Sequence, residues 1–301
     1  MTAIGSAKKP SASTLGSVSP RRKLTDRAVQ GLVYLSFVLA MIPLVSVLWL
    51  VITKGMARFD GDFFSKSMNG VAGRDEGGGA YHAILGTLEQ VAITTAIAVP
   101  IAVLTAIYLV EYGRGKRLAK AISFCVDVMT GIPSIVAGLF ILALWLLTFG
   151  FSYSGFAGSL ALAILMMPTV VRATEEMLKL VPNDLREASF ALGVPRWRTI
   201  CFVVLPTALT GIITGVMLAV ARVMGETAPL LLTIFVTKSI NENPFEGPQG
   251  ALPTFIWDQA ADPNSTAIDR AWTGALTLIL LIMLLNLAAR LIAWLRRPAR
   301  R

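Results

Sequence analysis

Val181-Pro-Asn-Asp-Leu-Arg-Glu187-Ala-Ser-Phe-Ala-Leu-Gly193-Val-Pro-Arg-Trp-Arg198 separates two long apolar runs, and it is too polar for a bilayer core yet too patterned for a linker. Pro182 closes the helix before it, and Asp184 followed three residues later by Glu187 is a capping-box-like start for the next. Gly193 is a natural left-handed stop, and Pro195 opens a second short helix at an angle. The expected element is a compact helix-turn-helix with Leu185, Phe190, Leu192 and Trp197 as apolar contacts. An elbow of this kind, held between two membrane helices, can transmit a push from a soluble partner.

The runs that flank the elbow, about 156–180 and 202–236, each reach the roughly 20 residues that a bilayer crossing needs. Four more lie at about 31–52, 83–110, 121–149 and 271–295. The fold class expected is therefore all-α, a polytopic membrane protein with a six-helix domain over 31–295 and the elbow at 181–200. Composition points the same way: 55% of residues are hydrophobic and 15% charged, with a mean hydropathy of +0.68. A soluble domain carries about a quarter charged residues, so too little polar material is present to cover a water-exposed surface. Residues 1–30 are rich in Ser, Lys, Arg and Pro and hold no apolar run long enough for a signal-peptide core. They are expected to form a disordered basic tail, the first span remains as an uncleaved anchor, and 296–301 form a second basic tail.

Orientation follows from the placement of Lys and Arg. Nineteen flank the ends of the spans on the elbow's side, including Arg21, Arg22, Lys23, Arg114, Arg117, Arg196 and Arg297, against six on the other, namely Lys54, Arg58, Lys66, Arg74, Lys238 and Arg270. Both termini and the elbow are thus expected in the cytoplasm. The net charge of +9 is then explained by topology and by attraction to anionic inner-leaflet lipid, which leaves no case for a nucleic-acid partner.

Several chemistries are excluded or weakened. His82 is the single histidine, so no histidine-based metal or catalytic cluster exists within the chain, and no catalytic or metal-ligating residue is assigned. Cys125 and Cys201 are far apart and each lies near the inner end of a span, where packing thiols are a better reading than a disulfide. No Gly-x-x-x-x-Gly-Lys-Ser/Thr loop occurs, so the chain is not expected to be an enzyme that hydrolyses ATP.

Glu187-Ala-Ser189, then Gly193, then Val203-Val-Leu-Pro206 resembles the EAA loop of bacterial ABC-importer permeases, in which Glu-Ala-Ala, Gly and Ile-x-Leu-Pro recur at the same spacing. Ser189 stands for the third alanine and Val203 for isoleucine. Gly131-Ile-Pro-Ser-Ile-Val-Ala-Gly-Leu-Phe140, Val170-Val-Arg-Ala-Thr-Glu-Glu-Met-Leu178 and Ala221-Arg-Val-Met-Gly-Glu-Thr-Ala-Pro-Leu230 look like the phosphate-specific branch of that family, the PstA type. The resemblance covers about residues 28–297. It implies a type I (MetI-like) permease architecture, with Glu187, Ala188, Ser189, Leu192, Gly193 and Arg196 coupling to an ATPase. The partners it implies are a homologous PstC-like permease, a PstB-like ATPase dimer that uses ATP and Mg, a PstS-like extracytoplasmic phosphate-binding protein, and inorganic phosphate. Import of sulfate or molybdate is the nearest rival, because a buried arginine does not by itself distinguish tetrahedral oxyanions. An ion-coupled secondary transporter would leave the elbow unexplained.

Charged residues inside the apolar runs need partners or a polar cavity, since an ionised side chain at mid-bilayer costs at least ~2.5 kcal/mol. Arg222 and Glu226, at spacing i, i+4, fall on one helix face. The guanidinium fork matches a pair of phosphate oxygens, so the two are candidates for the anion pathway or, alternatively, a structural ion pair. Arg172 and Asp127 lie at similar depth in adjacent runs and are candidates for an interhelical salt bridge. Glu89 is left without a role. Pro100, Pro133, Pro168, Pro206 and Pro229 are expected to interrupt the spans, and Gly131, Ser134, Gly138, Gly211 and Gly215 to let helices approach closely.

Overall fold

In the computed structural model residues 20–295 are described; the basic stretches expected at 1–19 and 296–301 lie outside them. The chain divides into two compact units, one ending at Leu50 and one beginning at Val51. The first holds most of helix α1 (Pro20–Gly55), whose apolar side chains, Phe37 and Leu44 among them, are exposed all round. A helix apolar on every side suits a lipid environment. Residues 20–30, expected in the tail, belong instead to this helix. Proline is favoured at a first helical position, and Arg and Lys are good helix formers, so the apolar run extends its helix backwards into the basic segment.

The second unit contains α2 (Gly61–Ser65), α3 (Tyr81–Ile107), α4 (Arg117–Thr130), α5 (Ser134–Ile141), α6 (Gly155–Lys179), α7 (Asn183–Ala191), α8 (Arg196–Thr199), α9 (Leu205–Met224), α10 (Ala228–Thr233), α11 (Leu252–Ala261) and α12 (Ser265–Leu295). At its centre is α6, which packs on α3, α9, α5, α10 and α4. Lipid tails are as apolar as leucine, so burying apolar area does not drive helices together inside a membrane; close contact does. The sequence supplies that contact through small residues. Ala98, Ala102 and Ala106 recur every four positions along α3 and are fully buried, and a Cβ at Gly215 of α9 would lie 2.5 Å from that of Ala173 in α6. Met166, Val170, Leu178, Val204 and Met224 fill the core that these approaches enclose. Ser154 begins α6, its hydroxyl accepting from the N–H of Ala157 at 3.2 Å.

Among the described residues five helices are long and apolar enough to cross a membrane, and α4 with α5 makes a sixth if that pair is one crossing. The pair is bent by 105° within the run expected at 121–149, at the interruption expected from Pro133. Pro133 caps α5 and has no N–H to continue α4, and Gly138 seats α5 against Pro229, whose Cα would lie 2.6 Å from an added Cβ. The run at 202–236 is also divided, because α9 stops before Gly225 and α10 restarts with Pro229 near its beginning. Pro100 and Pro168, by contrast, sit inside continuous helices, and Gly131 ends α4 instead of packing against a neighbour. Among the described residues three π-helical turns occur, at Tyr108–Tyr112 after α3, Leu142–Thr148 after α5 and Ile200–Val204 before α9.

Candidate functional site

The elbow forms as two short helices, with Gly193 at φ +75° between them. That conformation is cheap for glycine and strained for any residue with a Cβ. The capping box expected from Asp184 is not formed: Pro182 is the cap, and Asp184 lies within the first turn of α7, where its charge still suits the helix dipole. The orphan carbonyls at the end of α6 are met instead by Arg186, which donates to Leu178 O at 2.9 Å and Val181 O at 2.6 Å. The same guanidinium reaches the carboxylate of Glu111, with Nη2 at 2.7 Å and Nε at 3.1 Å from Oε1, and both side chains are buried. Ser189 turns inward as well, sharing a hydrogen bond with the Thr199 hydroxyl at 2.8 Å that ties α7 to α8.

The six residues assigned to coupling therefore divide. Glu187, Ala188, Leu192 and Gly193 face outward, and Leu192 is 83% exposed. Buried Ser189 holds the two helices of the elbow together, and exposed Arg196 ties the elbow to the turn after α3. Arg196 donates through Nη2 to the carbonyl of Glu111, and its guanidinium lies over the Tyr112 ring at 5.1 Å from the centroid. Leu185, Leu192 and Phe202 line an open groove of about 610 Å³ along the outward face. Unpartnered apolar side chains of this size on a braced element favour burial. Glu111 was not singled out in the sequence. The reasoning that paired Asp127 with Arg172, an acid and a base at matched depth, applies equally to Glu111 and Arg186.

Further along α6 the charges form a chain. Arg172 donates to Asp127 of α4 and to Ser123 Oγ at 2.9 Å, and meets Glu175 at 2.5 Å; Lys179 meets Glu175 at 2.9 Å and Glu176 at 3.1 Å. Two cations thus serve three carboxylates, and α4 is linked to α6 where the latter approaches the elbow. Arg222 and Glu226 are placed differently. The structure brings them within 3.9 Å, at the long limit for an ion pair, with Arg222 at the end of α9 and 58% exposed and Glu226 beyond the helix and 20% exposed. They do not share a helix face as expected, since the break at Gly225 intervenes, and the guanidinium keeps donors for another group.

The opposite end holds what the sequence least revealed. Arg270, counted there among loop charges, lies inside α12 and is fully buried. It donates to Gln259 Oε1 at 2.8 Å and to the carbonyls of Asp75, Gly73 and Gly77 at 2.6, 2.8 and 3.2 Å. Glu89 accepts from Gln249 at 2.5 Å, and buried Gln249 in turn accepts from Gln90 at 3.0 Å. Asp60 caps α2 by accepting from Phe63 N–H at 2.8 Å, and that bond holds its carboxyl below the usual range. Bonds from Asn264 do the same for Asp262. Cys125 and Cys201 are free and exposed, not packed as expected. Among the described residues no group of three or more His, Cys, Asp or Glu is placed to hold a metal ion.

The family model described as "Binding-protein-dependent transport system inner membrane component" matches residues 98–297. "Phosphate transport system permease protein PstA 1" of Mycobacterium tuberculosis strain H37Rv is 46% identical over 282 residues, covering 93% of this chain and 91% of that protein. The PstA permease protein of Pasteurella multocida is 40% identical over 270 residues, covering 90% and 95%. Among solved structures, an inward-facing MetNI methionine ABC transporter aligns with a TM-score of 0.56 at 20% identity, over 72% of this chain and 94% of that one. A bacterial alginate ABC transporter aligns at 0.58 and 14% identity, over 89% and 94%. These likenesses establish the fold as that of MetI-type ABC importer permeases. The protein is a multi-pass inner-membrane transport subunit, and the chain belongs to the binding-protein-dependent transport system inner membrane components, in the branch of the PstA permease proteins.

Proposed function

We propose that this chain is the permease subunit of an ATP-driven phosphate importer and forms the translocation pathway with a homologous second permease. The observation that carries the reading is identity of 46% and 40%, over some nine-tenths of the chain, to proteins named as phosphate transport permeases. In this reading both termini and the elbow are cytoplasmic, and the apolar groove beside Leu192 docks on one of two ATPase subunits. Those subunits bind and hydrolyse ATP with Mg, and this chain binds no cofactor of its own. A phosphate-binding protein delivers substrate on the opposite side, and movement of the elbow switches the pathway between inward-open and outward-open states.

Arg222 is the residue proposed to meet the anion. Its planar fork pairs with two phosphate oxygens and keeps its charge in a desolvated site. Its loose contact with Glu226 supports this role, because a carboxylate at 3.9 Å tempers the attraction without occupying the donors. The test is ATP hydrolysis by the purified complex with its binding protein, comparing phosphate with sulfate. Stimulation by phosphate is expected; stimulation by sulfate alone would overturn the substrate and favour the sulfate or molybdate alternative.

A further inference from the structure

α6 and α9 are joined to the elbow by the chain itself, through residues 180–182 and the π turn Ile200–Val204. α3 is not. Among the described residues, every hydrogen bond, ion pair or ring contact between α3 with its terminal turn and the elbow converges on two neighbours, Glu111 and Tyr112. Glu111 engages both limbs at once: its carboxylate takes Arg186 of α7, and its carbonyl takes Arg196 of α8. Both acidic and basic partners of the α7 bond are withdrawn from solvent, so the joint is stiff and not screened by salt. α3 in turn is packed along α6 and leads, after a short turn at 113–116, into α4, where Asp127 meets Arg172.

We infer that Glu111 is a positioning residue, the clamp through which displacement of the elbow is passed to α3 and so to the wall of the pathway. The inference rests on the proposed coupling role of the elbow and assigns the residue that carries motion sideways to a helix otherwise held by its packing, chiefly on α6. With the clamp released, α3 would follow the elbow only through that packing, and ATP hydrolysis would lose its grip on transport.

The experiment uses the complete complex in proteoliposomes, with Cys125 and Cys201 replaced by serine and spin labels at exposed Leu104 on α3 and Leu180 after α6. Glu111→Gln is compared with the neutral pair Glu111→Gln plus Arg186→Gln, which leaves no buried charge unmatched. Expected is basal ATP hydrolysis at the wild-type rate in at least one of them, about a tenfold fall in phosphate imported per ATP, and loss of the ATP-dependent change in label distance. A variant that keeps the wild-type ratio and the wild-type distance change overturns the clamp. Failure of both variants to assemble assigns the pair to folding alone and overturns it equally. If the wild-type complex shows the distance change but imports no phosphate, the substrate reading fails, and the distance measurement alone decides the clamp.

Discussion

Two arginines among the described residues are withdrawn from solvent, and they are satisfied in opposite ways. Arg186, in the elbow, is held by a carboxylate and by the carbonyls that end α6. Arg270, at the other end of the bundle, has no ion pair among the described residues and is held by Gln259 and a ring of loop carbonyls. The difference teaches something about what each end does. A carboxylate on one helix and a guanidinium on another form a joint between two parts. A guanidinium enclosed by several carbonyls of one loop fixes that loop to the helix that carries it.

The largest effect should come from emptying the carbonyl ring. Arg270→Ala removes several charge-assisted bonds and leaves the buried Gln259 oxygen without this donor, at about 5 kcal/mol in sum. The melting temperature in detergent and protease cleavage between residues 66 and 80 both report it. Arg186→Ala leaves the Glu111 carboxylate unmatched and should cost about 3–5 kcal/mol, while the neutral pair with Gln at both positions should recover most of this. A double-mutant cycle on denaturation reads the difference; if the neutral pair is as unstable as Arg186→Ala, the two arginines are both pegs and the contrast is lost.

Gly193→Val should cost about 1–3 kcal/mol because φ +75° is strained for a branched residue, and import should stop while membrane insertion persists. Ser189→Ala, losing only the hydroxyl bond to Thr199, should cost about 1 kcal/mol and slow import little. Smallest is Asp60, whose capping bond is worth about 0.5–1 kcal/mol. Its folded pKa is depressed, so this contribution is complete above the ordinary carboxylate value of 3.8 and is lost as pH falls through the lower folded value. Asp60→Asn should flatten that part of the stability–pH curve, as acid titration of the melting temperature would show.

The elbow was legible because its chemistry is local: two prolines and a glycine dictate where short helices begin and end, whatever surrounds them. The crossings were legible because apolar runs have to be long. The faces were not. Nothing in Glu187-Ala-Ser-Phe says that Ser189 turns inward, and Arg196 reads as a surface charge until Glu111 and Tyr112 arrive behind it. Arg270 read as a loop residue because its partners are backbone carbonyls at 73–77, which carry no side-chain signature and lie almost two hundred positions away. Gly131-Ile-Pro133 was visible as an interruption, but its 105° depends on where α5 packs, a property of the assembled bundle.

A π-helical turn holds one residue more than the α-helix it interrupts, and two such turns, Tyr108–Tyr112 and Ile200–Val204, stand beside the elbow. The surplus residue is slack. Shifting it along the helix rotates the stretch it traverses by about 100° and moves that stretch by about 1.5 Å without breaking the rest of the ladder. Each rod beside the elbow thus holds one notch of slack, and under the proposed coupling role a displacement there would be taken up in discrete steps instead of a continuous bend.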